Sequence, residues 1–200
     1  MSRNEALDVS TMYELARMLR EDIAGWNAWR EANRGVHFML EGWHFGPFDP
    51  LSHGPRELMG IDLQGANLSS IGFEKVLFCG ANLSGVDLSY STLMECRLNE
   101  TNSRNANFMG ATLWEVDFQR ADMWLTNLKS TKLHVVSFVE ADLRGASFES
   151  TTLEVAIDFL GANLWNARFE GADLRGARNF PRALFDTWLR ELRGQITFVD

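Results

Sequence analysis

Three histidines, His37, His44 and His53, fall within one short stretch and are the first residues that chemistry would recruit. Their spacings match no usual zinc pattern, and no cysteine stands near them. The two cysteines, Cys79 and Cys96, are too few for a disulfide framework or a Cys-rich metal centre. Asp122 and Asp142 lie twenty residues apart and come close only if the chain winds with that period; like-charge repulsion would then raise one pKa. With the same winding, Arg104 and Arg144 could neutralise them. Neither a phosphate-cradling G-x-x-x-x-G-K-[ST] loop, nor a G-x-S-x-G elbow, nor an H-E-x-x-H helix occurs. The expectation is a chain that is not an enzyme, with no catalytic residues, no cofactor and no metal site.

The elements that position these residues come next. The chain has 200 residues and 46% apolar content, which suits one domain with a sizeable core. Acids outnumber bases 27 to 19, for a net charge of −8. That sign disfavours direct binding of nucleic-acid phosphates or of an anionic membrane. The first thirty residues carry Glu5, Asp8, Glu14, Glu21 and Asp22 without an apolar run, so no secretory signal is expected. No stretch reaches the roughly 20 apolar residues of a membrane helix. A cytoplasmic location is the expectation.

One periodicity dominates. From Leu63 to Leu153 an apolar residue returns at every fifth position, with Ser103 the lone exception, and after one extra residue near 154–156 it resumes at Phe159 and runs to Leu174. Of the 23 central positions, 13 are Leu and 8 are Phe, so the centres are large and apolar almost throughout. Two residues before each centre sits a small or β-branched residue, and between the two lies a polar one, often Asp or Asn. Period five fits neither a helix nor a plain strand. It fits a short strand followed by a two-residue turn of about a quarter circle. Four such units close a coil, and coils stack at roughly 4.8 Å. The count gives about 5.75 coils, with the centres filling the axis as a core that no single repeat could bury. Ser103 should leave that axis underfilled or wet, and the insertion should bulge one corner. Asp and Asn before the centres are expected to bond to turn amides.

Units such as Ala66-Asn67-Leu68, Ala141-Asp142-Leu143 and Ala172-Asp173-Leu174 resemble the A(D/N)LxX motif of the pentapeptide repeat family. The resemblance covers 61–178 and implies an all-β solenoid, a right-handed quadrilateral β-helix without an active site. Trp26-Asn27-Ala28-Trp29-Arg30 with Asn33 resembles a leader found ahead of some bacterial, notably cyanobacterial, members, where it covers the first coil.

Stacking residues twenty apart converts the sequence into a surface map. Just after the centres, the first face carries Gln64, Ser84, Arg104, Trp124, Arg144 and Trp165, with Leu125 beside them. The third face carries Glu74, Met94, Trp114, His134, Glu154 and Arg175, with Val135 alongside. Exposed Trp and Arg are residues that interfaces favour. Arg104, Trp124, Leu125, Arg144 and Trp165, and secondarily Trp114 and Met94, are therefore the candidate partner-binding residues. Inside the fourth face the centres Phe78, Leu98, Phe118, Phe138 and Phe159 are placed to form an aromatic ladder. Cys79 is expected outward and free, Cys96 in an inward small-residue slot.

The chain thus divides into residues 1–60, a helical cap with an aromatic loop (Phe38, Trp43, Phe45, Phe48); 61–178, the repeats; and 179–200, a carboxyl-terminal piece. The amino end shows a capping box at Thr11-Met12-Tyr13-Glu14, then Met12, Leu15, Ala16, Leu19, Ile23 and Trp26 at helical spacing. After Pro181, a helix carrying Leu184, Phe185, Trp188, Leu189 and Leu192 on one face would cap the last coil or form a homodimer, leaving monomer and dimer both open.

Three functions follow. The first is a non-enzymatic scaffold holding an unidentified protein partner on the Arg/Trp face. The second, implied by the family resemblance, is a DNA-mimicking modulator of DNA gyrase. The repeats carry 15 acids against 10 bases, a weak likeness to DNA. The third is a structural protein that self-assembles through its ends.

Overall fold

The computed structural model describes residues 14–15, 17–19, 21–33 and 56–181. Helix α1, Ile23–Ala32, is followed by nine short strands: β1 (Arg56–Glu57), β2 (Gly72–Glu74), β3 (Val76–Leu77), β4 (Thr92–Met94), β5 (Thr112–Asp117), β6 (Lys132–Ser137), β7 (Thr152–Val155), β8 (Ile157–Asp158) and β9 (Ala177–Arg178). Their ladders are all parallel, and the chain winds a β-solenoid of about five turns.

Residues twenty apart pair, as the period requires. Leu93 faces Leu113, which faces Leu133. On the first face Asn82, Asn102, Asp122 and Asp142 bridge in succession, which places Leu83, Ser103, Met123 and Leu143 in one column. These centres are buried. Within the repeats the small residue and the centre turn inward while the polar residue between them faces out, the strict alternation of a pleated backbone.

The corners need a left-handed residue. Two positions after most centres φ is positive, at glycines such as Gly65 and Gly85 but also at Asn105, Leu125 and Val135; after Leu153 the insertion moves it to Ala156, and Gly176, after Leu174, lacks it. At most corners the next amide closes the turn on the centre's carbonyl, as from Ala106 N to Ser103 O at 3.1 Å. Positive φ at the second turn residue alone is the type II arrangement. Between the third and fourth faces the strand conformation runs through the corner, in β5 past Glu115 and in β6 past Val135. Asp and Asn before the centres bond the turns as expected: Asp62 Oδ1 accepts from Gln64 N at 3.0 Å and Asp117 Oδ1 from Gln119 N at 2.9 Å.

The insertion sits where the spacing places it. Leu133 pairs with Leu153, but His134 pairs with Val155, so the ladder slips by one residue at a bulge. Beyond it bridges join residues 21 apart, such as Asp142 and Asn163. The displaced backbone crowds the next coil at Gly176, where a Cβ would lie 2.5 Å from Leu153 O. Only glycine leaves that space.

Ser103 is completely buried, yet its hydroxyl is satisfied. Thr101 Oγ1 donates to Leu98 O at 2.8 Å, so the contact of 3.0 Å between Thr101 and Ser103 has the Ser103 hydroxyl as donor. The fourth-face rings form the expected ladder: Phe118 and Phe138 stack at 5.4 Å, as do Phe138 and Phe159.

At the amino end the described residues correct the expectation of one continuous helix. Residues 14–15, 17–19 and 21 are helical, but the run breaks at Asp22, whose Oδ1 accepts from Gly25 N at 2.7 Å and caps α1. Trp26 of α1 is fully buried on the first coil. Thr11–Tyr13, the aromatic stretch 34–55 with His37, His44 and His53, and the stripe Leu184, Phe185, Trp188, Leu189 and Leu192 lie outside the described residues.

Candidate partner-binding face

The first-face column is held by the ladder itself. Gly85 N donates to Arg104 O, Asn105 N to Trp124 O, Leu125 N to Arg144 O and Gly145 N to Trp165 O, at 2.8 to 3.0 Å. Arg104, Trp124, Arg144 and Trp165 therefore succeed one another at coil spacing, and as residues following a buried centre they must point outward. Trp124 is 40% exposed, Leu125 45% and Trp165 66%. These are large apolar surfaces left in water.

The charges beside them are internally paired. Arg104 Nε lies 2.6 Å from Asp122 Oδ2, and its guanidinium carbon is 6.0 Å from the centre of the Trp124 ring system. Arg144 grips both carboxylate oxygens of Asp142 at 2.6 to 3.0 Å. That hydrogen bond outweighs desolvation and holds the Asp142 carboxyl below its ordinary pKa. The expectation that repulsion between Asp122 and Asp142 raises one pKa thus fails for Asp142, because its own arginine is closer than the rival carboxylate. The face presents indoles separated by neutralised ion pairs.

Leu125 occupies the corner next to Trp124. Its side chain reaches over Gly145 one coil on, where a Cβ would lie 2.7 Å from Leu125 Cδ2 and φ is +67°. Glycine at 145 both makes the turn and seats the leucine.

Met94 and Trp114 do not join this face. Met94 pairs with Trp114, which pairs with His134, on the third side of the four-sided coil. They stand opposite Trp124, so one partner surface cannot hold both sets. Trp114 stacks on His134 with ring centres 3.6 Å apart, and Val155 rather than Glu154 continues their column. His134 Nδ1 is 3.5 Å from Glu154 Oε2. Tyr90 and Leu160, both exposed, escaped the sequence reading. The register contains the signal for Tyr90: it occupies a corner, where any side chain points out.

Cys96 is buried in its inward slot, and burial pushes its thiol up to about 11; Cys79 is partly exposed and free. Among the described residues, no group of three or more His, Cys, Asp or Glu could hold a metal ion, and no helix is long and apolar enough to cross a membrane.

Comparison with known proteins bears on the repeat. The family model described as pentapeptide repeats matches residues 57–93, 91–124 and 155–185, in eight copies. No curated protein matches the chain. Among solved structures, a pentapeptide repeat protein from the thylakoid lumen of Arabidopsis thaliana is 29% identical over 56% of this chain and 77% of its own, with a TM-score of 0.41. HetL, a pentapeptide repeat protein involved in heterocyst differentiation regulation from the cyanobacterium Nostoc sp. strain PCC 7120, is 19% identical over 75% of this chain and 94% of its own, with a TM-score of 0.21. A trypsin-treated form of QnrB1, a plasmid-mediated fluoroquinolone resistance protein, is 15% identical over 83% and 92%, with a TM-score of 0.25. With its five-residue period, its stacked Leu and Phe centres and the match to the family model, the chain is a pentapeptide repeat protein.

Proposed function

We propose that the chain is a non-enzymatic interaction module that holds a protein partner on the face bearing Arg104, Trp124, Leu125, Arg144 and Trp165. The observation that carries this reading is the exposure of two indoles in one column, Trp124 at 40% and Trp165 at 66%. A folded chain leaves such surface in water at a cost that burial against a partner recovers, at about 25 cal/mol per Å². Indoles are also the side chains that most often dominate binding energy. Pentapeptide repeat proteins are generally structural or interaction modules, in keeping with this reading. The paired states of Arg104 and Arg144 favour a partner surface that is largely uncharged where it meets the indoles.

The gyrase reading finds less support in the charge distribution. Arg104, Arg120, Lys129 and Arg144 are each tied to a neighbouring carboxylate, which breaks up the acidic rod that a DNA mimic presents.

The double substitution Trp124→Ala and Trp165→Ala tests the proposal. Both side chains are outside the core, so the circular dichroism spectrum and melting temperature should stay close to those of the parent. Binding of a partner identified by pull-down and reconstituted from pure components should fall by at least tenfold, the equivalent of about 1.4 kcal/mol. Unchanged affinity would remove this face as the binding surface. Absence of any effect on supercoiling at micromolar protein would dispose of the gyrase reading.

A further inference from the structure

The outward column of the first face has an internal order. Arg104, Trp124, Arg144 and Trp165 alternate cation and indole in consecutive coils, about 4.8 Å apart. Both cations keep a surface free. Arg144 holds Asp142 through Nε and Nη2, along one edge of its guanidinium, and Arg104 holds Asp122 through Nε. Their side chains stay 43% and 50% exposed. An arginine bound edge-on to a carboxylate leaves its flat face open to stack on an aromatic ring. Within the chain Arg104 approaches the Trp124 ring only to 6.0 Å, the limit of such a contact.

Alternation of this kind is complementary to itself. A two-fold axis that crosses the column at right angles to the solenoid axis, in the plane of the face, turns a second solenoid end for end. Column then meets column with the order of coils reversed. With the axis midway between the coils of Trp124 and Arg144, Trp124 meets Arg144 of the second copy and Arg104 meets its Trp165. Symmetry doubles these to four cation–indole contacts. Moving the axis half a coil either way sets indole on indole and arginine on arginine; moving it a whole coil halves the contacts. The neighbouring positions accept the same register. The two Leu125 side chains, each leaning over its own Gly145, meet across the axis. Asn102 faces Asn163 of the second copy, amide to amide. Asp122 faces its Asp142, and because Arg104 and Arg144 hold these carboxylates the charges there balance. Arg104, Trp124, Leu125, Arg144 and Trp165 of both copies together would bury about 1,000 Å², the size of a reversible interface.

We propose that the partner taken by this face is a second copy of the same chain, in an antiparallel dimer held by reciprocal Arg–Trp stacking about that axis. The proposal rests on the reading of the face as an interaction surface and names its occupant. Each indole meets a guanidinium already neutralised by its own aspartate, as the paired arginines require. Both copies use the same patch, so the contact closes and growth stops at two.

Sedimentation equilibrium of the full chain should show the mass rising from one chain to two between about 1 and 100 μM. Trp124→Arg sets arginine against Arg144 and should keep the chain monomeric across that range. Adding Arg144→Trp restores the alternation in reverse, and the mass should double again; the new arginine can hold Asp142 from the preceding coil as Arg104 holds Asp122. Should the swapped chain lose its β-sheet spectrum, Trp165→Ala serves instead. That side chain is 66% exposed, and its loss removes two of the four contacts, which should weaken dimerisation at least tenfold. Trp114→Ala, on the opposite face, should dimerise like the parent. A parent chain that stays monomeric throughout overturns the proposal, as does a dimer indifferent to Trp124→Arg or a folded swap variant that stays monomeric. A monomeric parent whose pulled-down partner is lost on Trp124→Ala and Trp165→Ala would overturn the dimer alone and leave the interaction face standing. Indifference of both dimer and pulled-down partner to these substitutions would remove the face itself.

Discussion

The indole of Trp114 and the imidazole of His134 lie nearly parallel, 3.6 Å apart and one coil removed, on the outside of the third face. Such a stack contributes about 0.5–1.5 kcal/mol beyond burial. His134→Ala should lower unfolding stability by that amount in urea titrations and shift tryptophan emission as the indole gains water. A variant equal to the parent in both would show that the two rings do not support each other in solution.

Acid should loosen the solenoid through its ion-paired carboxylates. Hydrogen bonds from Arg144, Lys129 and Arg175 hold Asp142, Glu149 and Asp173 below their ordinary values of 3.8, 4.5 and 3.8. A carboxyl whose folded pKa is depressed stabilises fully above its unfolded pKa and loses that contribution as pH falls through the folded value. Melting temperature should therefore hold level from neutrality to about pH 5 and decline below it. Arg144→Ala should be less stable than the parent at pH 7, and the two should converge at pH 2; a gap of constant size would refute the assignment to Asp142.

Gly176 lies in the turn that Ala177 N closes on Leu174 O at 2.9 Å, but its φ is not in the left-handed region, so it is the backbone at Leu153 and Glu154, not the turn, that requires glycine there. Gly176→Ala places a methyl against Leu153 O and should cost about 1–3 kcal/mol, the usual penalty of overpacking. Thermal unfolding reads this directly. A melting temperature equal to the parent's would mean that the bulge relaxes freely.

Phe138 is the middle rung between Phe118 and Phe159 and also meets Phe148 edge-on at 5.8 Å. Phe138→Ala should therefore cost about 3–5 kcal/mol by cavity formation. Chemical denaturation should show the loss in the midpoint with little change in slope.

How much of this was legible in the residues differs between core and surface. A side chain five residues after another, with a small residue two places earlier, has only one way to be buried in a parallel stack. The columns of Leu83, Met123 and Leu143, the Phe ladder, the outward Trp124 and the slip at 154–156 therefore followed from spacing alone. Amphipathic spacing carried no sign of the break at Asp22, because a capping carboxylate leaves the apolar period intact. Folding also decided which partner each ionisable group takes. Asp142 could face Asp122 one coil before it or Arg144 two residues after it, and side-chain geometry chose the arginine. The position of an end was likewise invisible. Trp26, Asn27 and Arg30 read as a short helix, and only their hydrogen bonds to the backbone of Asp62 and Gln64 show them standing in for a coil, since that requires a backbone already wound. Local period determined which residues stack, because every repeat meets the same constraint; tertiary structure decided which polar atoms meet and where the stack stops, because those contacts join segments that no repeat relates.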